Sequence, residues 1–273
     1  MSVVVITGGA SGIGRALAAA LVGRGDTVAV SDLDGDRVAE VAEALTEQGP
    51  GKAFATALDV TDAVAVTDHY QAVKAEHGRL DLVFNNAGIA VGGLAEELTL
   101  DHWNKTIDVN LRGVVHGVHA AYPIMLEQGY GHIANTASLA GLVPMPMGIP
   151  YTATKFAVVG LSLGLRAEAA ERGVKVSVIC PGFVDTPLLT AGNPGLPQTE
   201  MSKNIRTFAK QAQPRLYPAE ALAKDILHGI RRNKALIVAP ASGRAAWRGA
   251  RLSPGGAARA ARFAVARYRR QVG

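Results

Sequence analysis

The sequence predicts a doubly wound α/β fold, a parallel sheet of about seven strands with helices on both faces. Three observations carry this reading. Short β-branched runs such as Val3–Thr7 and Val174–Cys180 recur along the chain, as strands buried on both faces do. Helix-period stretches separate them, and such alternation puts crossover helices on both faces of a parallel sheet. With 273 residues, 48% of them hydrophobic, the chain has material for one large core.

In chain order, Val3–Thr7 is the first strand, followed by the turn Gly8-x-x-x-Gly12-Ile13-Gly14 and a helix over Arg15–Val22. Thr27–Asp32 is the second strand, and Asp34 is placed to cap a helix reaching Gln48. Ala53–Leu58 is the third strand, Thr61–His77 a helix and Leu80–Asn85 the fourth strand. Leu100–Glu127 reads as one long helix eased by Gly113 and Gly117, and His132–Thr136 as the fifth strand. Proline is tolerated in a first turn, so Pro150 sets the start of a helix over Tyr151–Arg172. Val174–Cys180 is the sixth strand. A Pro-, Gly-, Thr- and Gln-rich loop at about 186–215 then breaks the rhythm before a helix over Pro218–Arg232 and a last strand, Ala235–Ala239. Residues 1–241 thus form one domain, and 242–273 a basic extension in which Pro254-Gly255-Gly256 precedes an Ala/Arg helix over Ala257–Arg270.

The net charge of +5 belongs to the tail. From Ile226 onward there are eleven Lys and Arg and no Asp or Glu, while the rest carries 17 basic against 23 acidic residues. Ala257, Ala261, Ala264, Val265 and Tyr268 share one helix face; Arg259, Arg262, Arg267 and Arg270 share the other, with Phe263 among them. Alanine buries little, so docking on its own or a neighbouring subunit is favoured over an anionic membrane surface. No recognised module accompanies the arginines, so no nucleic-acid partner is expected. The single cysteine, Cys180, excludes an internal disulfide and fits a reducing compartment as a buried, inert thiol. Met1-Ser2 leads straight into the first strand without a basic leader, and no apolar run has membrane-span length, which predicts a cytoplasmic protein. His116 and His119 lie three apart with no third ligand in view, so no metal is expected. No Gly-x-Ser-x-Gly occurs to support serine hydrolysis.

Ligands of such sheets sit outside the carboxyl ends of the strands, where the strand order reverses. Several chemistry-bearing stretches fall at those ends. The glycine turn lets the backbone approach a pyrophosphate at a helix N-terminus. Asp32, ending the second strand, suits an adenosine ribose diol and repels a 2′-phosphate, a charge pair costing about 4 kcal/mol at 4 Å and effective dielectric 20. The two neighbouring positions for a phosphate-binding base hold Ser11 and Leu33, which favours NAD over NADP; Arg15, one position past the turn, is the residue against it. Asp59, followed by Val60, fits two roles: acceptor for the adenine amino group, or N-cap of the next helix. Asn86-Ala87-Gly88 offers either a close approach to the ribose or a plain turn. Tyr151 and Lys155 are four apart on a helix, with Ser138 thirteen residues upstream of Tyr151. A cation one turn away supplies part of the stabilisation that a phenol of pKa about 10 needs to act as a base near neutrality. Alone, Tyr-x-x-x-Lys fits any amphipathic helix start.

Taken together, Thr7-Gly8-x-x-x-Gly12-Ile13-Gly14, Asn86-Ala87-Gly88, Ser138, Tyr151-x-x-x-Lys155 and Pro181-Gly182-x-x-x-Thr186 resemble the short-chain dehydrogenase/reductase family, in order and over about residues 3 to 240. The resemblance implies a Rossmann-type sheet and hydride transfer between a dinucleotide and an alcohol or carbonyl. It implies Tyr151 as general acid/base, Lys155 lowering its pKa and bonding the nicotinamide ribose, Ser138 orienting the substrate oxygen, and Asn110 holding a water for a proton relay. It also places Pro181, Gly182, Val184 and Thr186 along the nicotinamide, and implies a homodimer or homotetramer packed through the long helices. The stretches expected around the substrate, Val91–Leu94, Leu139–Met147 and Leu188-Leu189, are apolar, which fits a hydrophobic secondary alcohol or ketone of lipid, steroid or terpenoid kind and equally fits plain core packing there. The alternatives are an NADP-dependent carbonyl or 3-oxoacyl reductase, and a dinucleotide-sensing protein without catalysis.

Overall fold

The computed structural model describes residues 1–190, 193 and 195–272; residues 191, 192 and 194 of the expected loop and Gly273 of the extension lie outside it. Among the described residues the strands are β1 (Val3–Thr7), β2 (Thr27–Asp32), β3 (Lys52–Ala57), β4 (Leu82–Asn85), β5 (Gly131–Thr136), β6 (Val174–Pro181), β7 (Val184–Asp185), β8 (Tyr217–Pro218) and β9 (Leu236–Ala239). Seven form one sheet in the order β3-β2-β1-β4-β5-β6-β9, and every pairing is parallel. The order reverses between β1 and β4, so the switch point, and with it the ligand crevice, lies at the carboxyl ends of these two strands. β7 and β8 make a two-stranded parallel ribbon beside the main sheet.

The helices are α1 (Gly12–Val22), α2 (Gly35–Gln48), α3 (Ala63–His77), α4 (Leu100–Ile107), α5 (Gly113–Gln128), α6 (Ile149–Ala169), α7 (Glu200–Lys203), α8 (Ile205–Ala212), α9 (Ala219–Arg231), α10 (Ala241–Leu252) and α11 (Pro254–Val272). Side chains along β1 alternate between two cores, as the strand period of two requires. Val4 and Ile6 face Leu17 and Leu21 of α1, Val38 of α2 and Leu222 and Ile226 of α9. Val3 and Val5 face Tyr70 of α3, Ile124 and Met125 of α5 and Ala169 of α6.

The long helix expected over Leu100–Glu127 is interrupted by a π turn at Asp108–Arg112, in which the Gly113 N–H bonds the Asp108 carbonyl. Such turns bulge a helix by one residue and cluster at functional sites. Gly113 closes the π turn, and both glycines allow close packing, Gly113 on Val60 and Gly117 on the sheet. A Cβ at Gly117 would stand 2.0 Å from Asn85 Oδ1. That oxygen accepts the Tyr70 hydroxyl at 2.9 Å, and Asn85 Nδ2 donates to Asn135 at 2.8 Å within a buried polar network.

Asp34 caps α2, accepting the Arg37 N–H at 3.1 Å. The cap of α3 is Asp62, which accepts from Val64 and Ala65, rather than Asp59. Asp59 instead accepts both the N–H and the hydroxyl of Thr61. Helix α6 opens two residues before Tyr151, with Pro150 in its first turn, and ends at Ala169. The loop at 186–215 carries α7 and α8. The extension is helical from Ala241 and breaks only at Ser253, so α11 begins at Pro254 rather than Ala257.

Candidate active site

A cavity of about 670 Å³ opens at the carboxyl ends of the strands. Of the residues expected from the sequence, Gly8, Ser11, Gly12, Ile13, Asp32, Leu33, Asp59, Val60, Asn86, Ala87, Gly88, Ser138, Tyr151, Lys155, Pro181, Gly182, Val184 and Thr186 all line it. Gly14 and Asn110 do not; both stand one layer behind the wall.

The glycine turn is shaped to admit a ligand's backbone-close approach. Gly8 has φ +67°, and a Cβ there would sit 2.7 Å from the Ala87 Cα; one on Gly14 would sit 2.1 Å from the Gly8 carbonyl. Ser11 is the N-cap of α1 but its hydroxyl caps no N–H, so the first-turn donors and the positive end of the helix dipole remain available to an anion. Thr7 and Asn86 lock the turn to the end of β4. Thr7 Oγ1 accepts the N–H groups of Asn86 and Ala87 at 3.0 and 3.1 Å, and Asn86 Nδ2 donates to the carbonyls of Thr7 and Gly8. These features fit a dinucleotide pyrophosphate.

At the end of β2, Asp32 accepts the Ala10 N–H through Oδ2 at 2.9 Å, while Oδ1 receives only a long bond from Asp34 N at 3.4 Å. One carboxylate oxygen therefore remains for a diol. Leu33 is 69% exposed at the rim. Arg15 is exposed and does not line the cavity, whereas Arg37, unremarked in the sequence, does. Its only sequence signal is its place in the first turn of α2, three residues after the cap. Burial pushes the Asp59 carboxyl up, but the Thr61 hydrogen bonds and the Lys105 cation outweigh it and hold the group below its ordinary value.

At the other end, Ser138 N-caps a short turn by accepting the Ala140 N–H at 3.1 Å. Lys155 is 3% exposed. Its Nζ donates to the Thr136 carbonyl at 2.9 Å and stands 5.5 Å from the centre of the Tyr151 ring. Asn110, fully buried in the π turn, spends its side-chain amide on Ile89: Oδ1 accepts the N–H at 2.8 Å and Nδ2 donates to the carbonyl at 2.9 Å. Its side chain thus braces the loop after β4.

The electrostatics depart from the expectation that Lys155 makes the phenol acidic. Burial pushes the Tyr151 phenol up, a hydrogen bond with the Ser138 hydroxyl pulls it down, and the nearby Cys180 thiol adds to the rise; the balance is upward. Burial pushes the Lys155 amine down to about 8, with Cys180 opposing weakly. Both groups are held toward neutrality by the same apolar surroundings. Cys180 itself is fully buried and pushed up to about 12, an inert thiol.

A doubly wound sheet with this cleft at its switch point, and a hydroxyl, a phenol and an ammonium gathered at one end, defines a class: nucleotide-dependent oxidoreductases that move a hydride and a proton. Residues 2–207 match the family described as short chain dehydrogenase, and the chain belongs to that family, whose members are NAD(P)-dependent oxidoreductases acting on CH–OH groups. It is 44% identical over 191 residues to a D-threitol dehydrogenase of Mycolicibacterium smegmatis, covering 68% of this chain and 71% of that protein. It is 38% identical over 240 residues to the putative oxidoreductase SadH of Mycobacterium tuberculosis, covering 86% and 85%. Among solved structures it is similar to a short chain dehydrogenase/reductase from Burkholderia phymatum in complex with NAD, at TM-score 0.85 and 30% identity over 93% of this chain and 94% of that one. Levodione reductase is similar at TM-score 0.76 and 29% identity, over 87% and 94%. Among the described residues no helix is long and apolar enough to cross a membrane.

Proposed function

We propose that the chain transfers a hydride between NAD and a hydrophobic secondary alcohol or ketone, with Tyr151 moving the proton. The observation that carries this is the polarity of one cavity. Its charged lining residues, Asp32, Arg37, Asp59 and Lys105, stand toward the β2, β3 and α4 side, and Lys155 stands beside Tyr151. Beyond Ser138 and Tyr151, the lining away from the glycine turn and the strand ends includes Val91, Val143, Met145, Met147, Leu189 and Met201, with the polar Asn193 among them. Such a wall selects apolar surface. The D-threitol dehydrogenase, by its name, takes a polyol; this lining offers a polyol few partners.

The glycine turn and the α1 N-terminus would hold the pyrophosphate, Asp32 the adenosine ribose, and Lys155, Pro181, Val184 and Thr186 the nicotinamide half. When bound, the nicotinamide accepts or supplies the hydride. Ser138 orients the substrate oxygen. Tyr151 takes the hydroxyl proton as the carbonyl forms, or returns one to the oxygen in reduction. Lys155 stabilises the phenolate and, through Thr136, fixes α6 against the end of β5. Arg37 favours one alternative, since it is the cation in the cavity able to meet a 2′-phosphate beside Asp32. A homodimer or homotetramer is proposed through α4, α5 and α6, whose outward Leu100, Val115, Phe156 and Leu163 are exposed. A cytoplasmic site of action, and a boundary at residue 241 between catalytic domain and extension, belong to the same proposal.

The test is NADH absorbance with aliphatic, terpenoid and steroid secondary alcohols set against D-threitol. Apolar alcohols should be preferred, and Tyr151→Phe should abolish turnover while NAD affinity stays near normal. A preference for the polyol refutes the substrate class, and a Tyr151→Phe enzyme that still turns over refutes the proton path.

A further inference from the structure

Helix α11 lies outside the stretch matched to the family, yet it reaches the apolar end of the cavity. We infer that α11 is a specificity-determining strut, whose Tyr268 ring backs Met147 and Met201 and so sets the shape of the substrate wall. The inference rests on the reading of that wall as the substrate site.

Tyr268, Met147 and Met201 form one buried apolar cluster, with Leu94, Phe208 and Val265 packed against it. Met147, Met201 and Phe208 also line the cavity, so one layer of side chains separates α11 from the substrate space. Three chain segments meet at this layer. The Gly93 N–H donates to the Met147 carbonyl at 3.1 Å, joining the loop after β4 to the loop before α6. The Thr199 hydroxyl, which caps α7, donates to the Gly92 carbonyl and so seats Met201 on the same loop. The Glu97 carboxylate closes that loop by accepting the Leu94 N–H at 2.6 Å. Tyr268 covers the junction from outside.

The docking is apolar. The Arg269–Glu96 pair at 2.9 Å is 60% exposed on both sides and contributes little. The Tyr268 hydroxyl has no hydrogen-bond partner among the described residues; what the residue contributes is its ring. Methionine is flexible and takes the shape its neighbours impose. Two methionines backed by a flat, rigid ring hold one wall; without it they relax outward and widen the site.

The experiment compares the full chain with Tyr268→Ala, Tyr268→Leu and Tyr268→Phe. KM, kcat and substrate preference are measured with the alcohol the wild type uses best, and NAD affinity by fluorescence. Tyr268→Ala should raise KM on the order of tenfold, about 1.4 kcal/mol, and shift preference toward bulkier substrates. kcat should change less, and NAD affinity should stay within about twofold, which separates a wall effect from general loss of structure. Tyr268→Phe should match the wild type. If the alanine variant does not fold, Tyr268→Leu carries the test. Wild-type KM and preference in Tyr268→Ala or Tyr268→Leu overturns the strut, as does a Tyr268→Phe enzyme as impaired as either. A wild type that prefers polyols defeats the apolar-substrate reading, while the strut is still decided on KM for the preferred polyol.

Discussion

Lys155 is held in the site at the cost of stability, and the cost can be worked from its surroundings. Burial moves its amine from 10.5 to about 8. At 1.36 kcal/mol for each tenfold change in proton affinity, keeping it charged in the fold opposes folding by about 3 kcal/mol. Lys155→Met keeps the volume and removes that charge, but it leaves the Thr136 carbonyl without the donor now 2.9 Å away, a loss of about 1–2 kcal/mol. The variant should therefore be more stable than the wild type at pH 7 by about 1–2 kcal/mol. The sign of the pH dependence follows from the depressed folded pKa. Below about 8 the lysine is protonated in both states and the penalty is complete. Between about 8 and 10.5 the unfolded chain binds more protons than the folded one, so wild-type stability rises relative to the variant. Near pH 10 the order should invert, leaving the variant short of one hydrogen bond. Urea unfolding of both proteins at pH 7, 8.5 and 10 measures the difference. A variant less stable at pH 7, or a gap that stays constant to pH 10, would refute this account of the site.

Three further outcomes follow from the structure. With Asp32 at the end of β2, kcat/KM should favour NAD over NADP by at least about a hundredfold, and Asp32→Ala should reduce the ratio to within about tenfold; equal use of both cofactors by the wild type would sink the ribose assignment. Gly117→Ala, whose Cβ would meet Asn85 Oδ1 at 2.0 Å, should lower unfolding free energy by about 1–3 kcal/mol. Gly249→Ala in α10, with open space around it, should raise it by about 0.5–1 kcal/mol; urea melts showing the two glycines equally tolerant would contradict the packing described.

The central strands were legible because burial on both faces forces near-continuous apolar runs such as those of β1, β2 and β6, unlike the largely exposed edge strand β3, and the helices because Asp34 and Pro150 mark their starts. The cleft residues were legible as a set because switch-point geometry puts strand ends together wherever they lie in sequence. What was not legible depends on three-dimensional neighbours. The π turn carries no local signal in Asp108–Arg112 and follows from how α4 and α5 meet the sheet. The division of labour between Asp59 and Asp62 turned on backbone angles that two aspartates three apart leave undetermined. Arg37 is an ordinary helix-surface residue until the fold brings it to the cavity beside Asp32. The raised phenol and lowered amine were missed because a Tyr–Lys pair four apart suggests attraction, whereas both shifts are set first by burial, which depends on what the rest of the fold packs around them. The docking of Tyr268 was foreshadowed by the apolar stripe on α11, but not its target.

Those two shifts bear on the direction in which the chain works. In the free protein near neutrality Tyr151 carries its proton, since burial holds the phenol above its ordinary range, and Lys155 is still an ammonium below about 8. That is the form needed to donate a proton to a carbonyl oxygen: a phenol with a cation ready to stabilise the phenolate it becomes. Alcohol oxidation needs the opposite starting state, a deprotonated phenol, which the chain alone disfavours. Carbonyl reduction should therefore be level from pH 6 to about 8 and decline above it as Lys155 loses its charge. Oxidation should climb over the same alkaline range as deprotonation of the phenol becomes easier. The measurement is kcat/KM in both directions from pH 6 to 10 in buffers of constant ionic strength. Profiles that rise and fall together would mean that neither group, as this fold holds it, governs the proton.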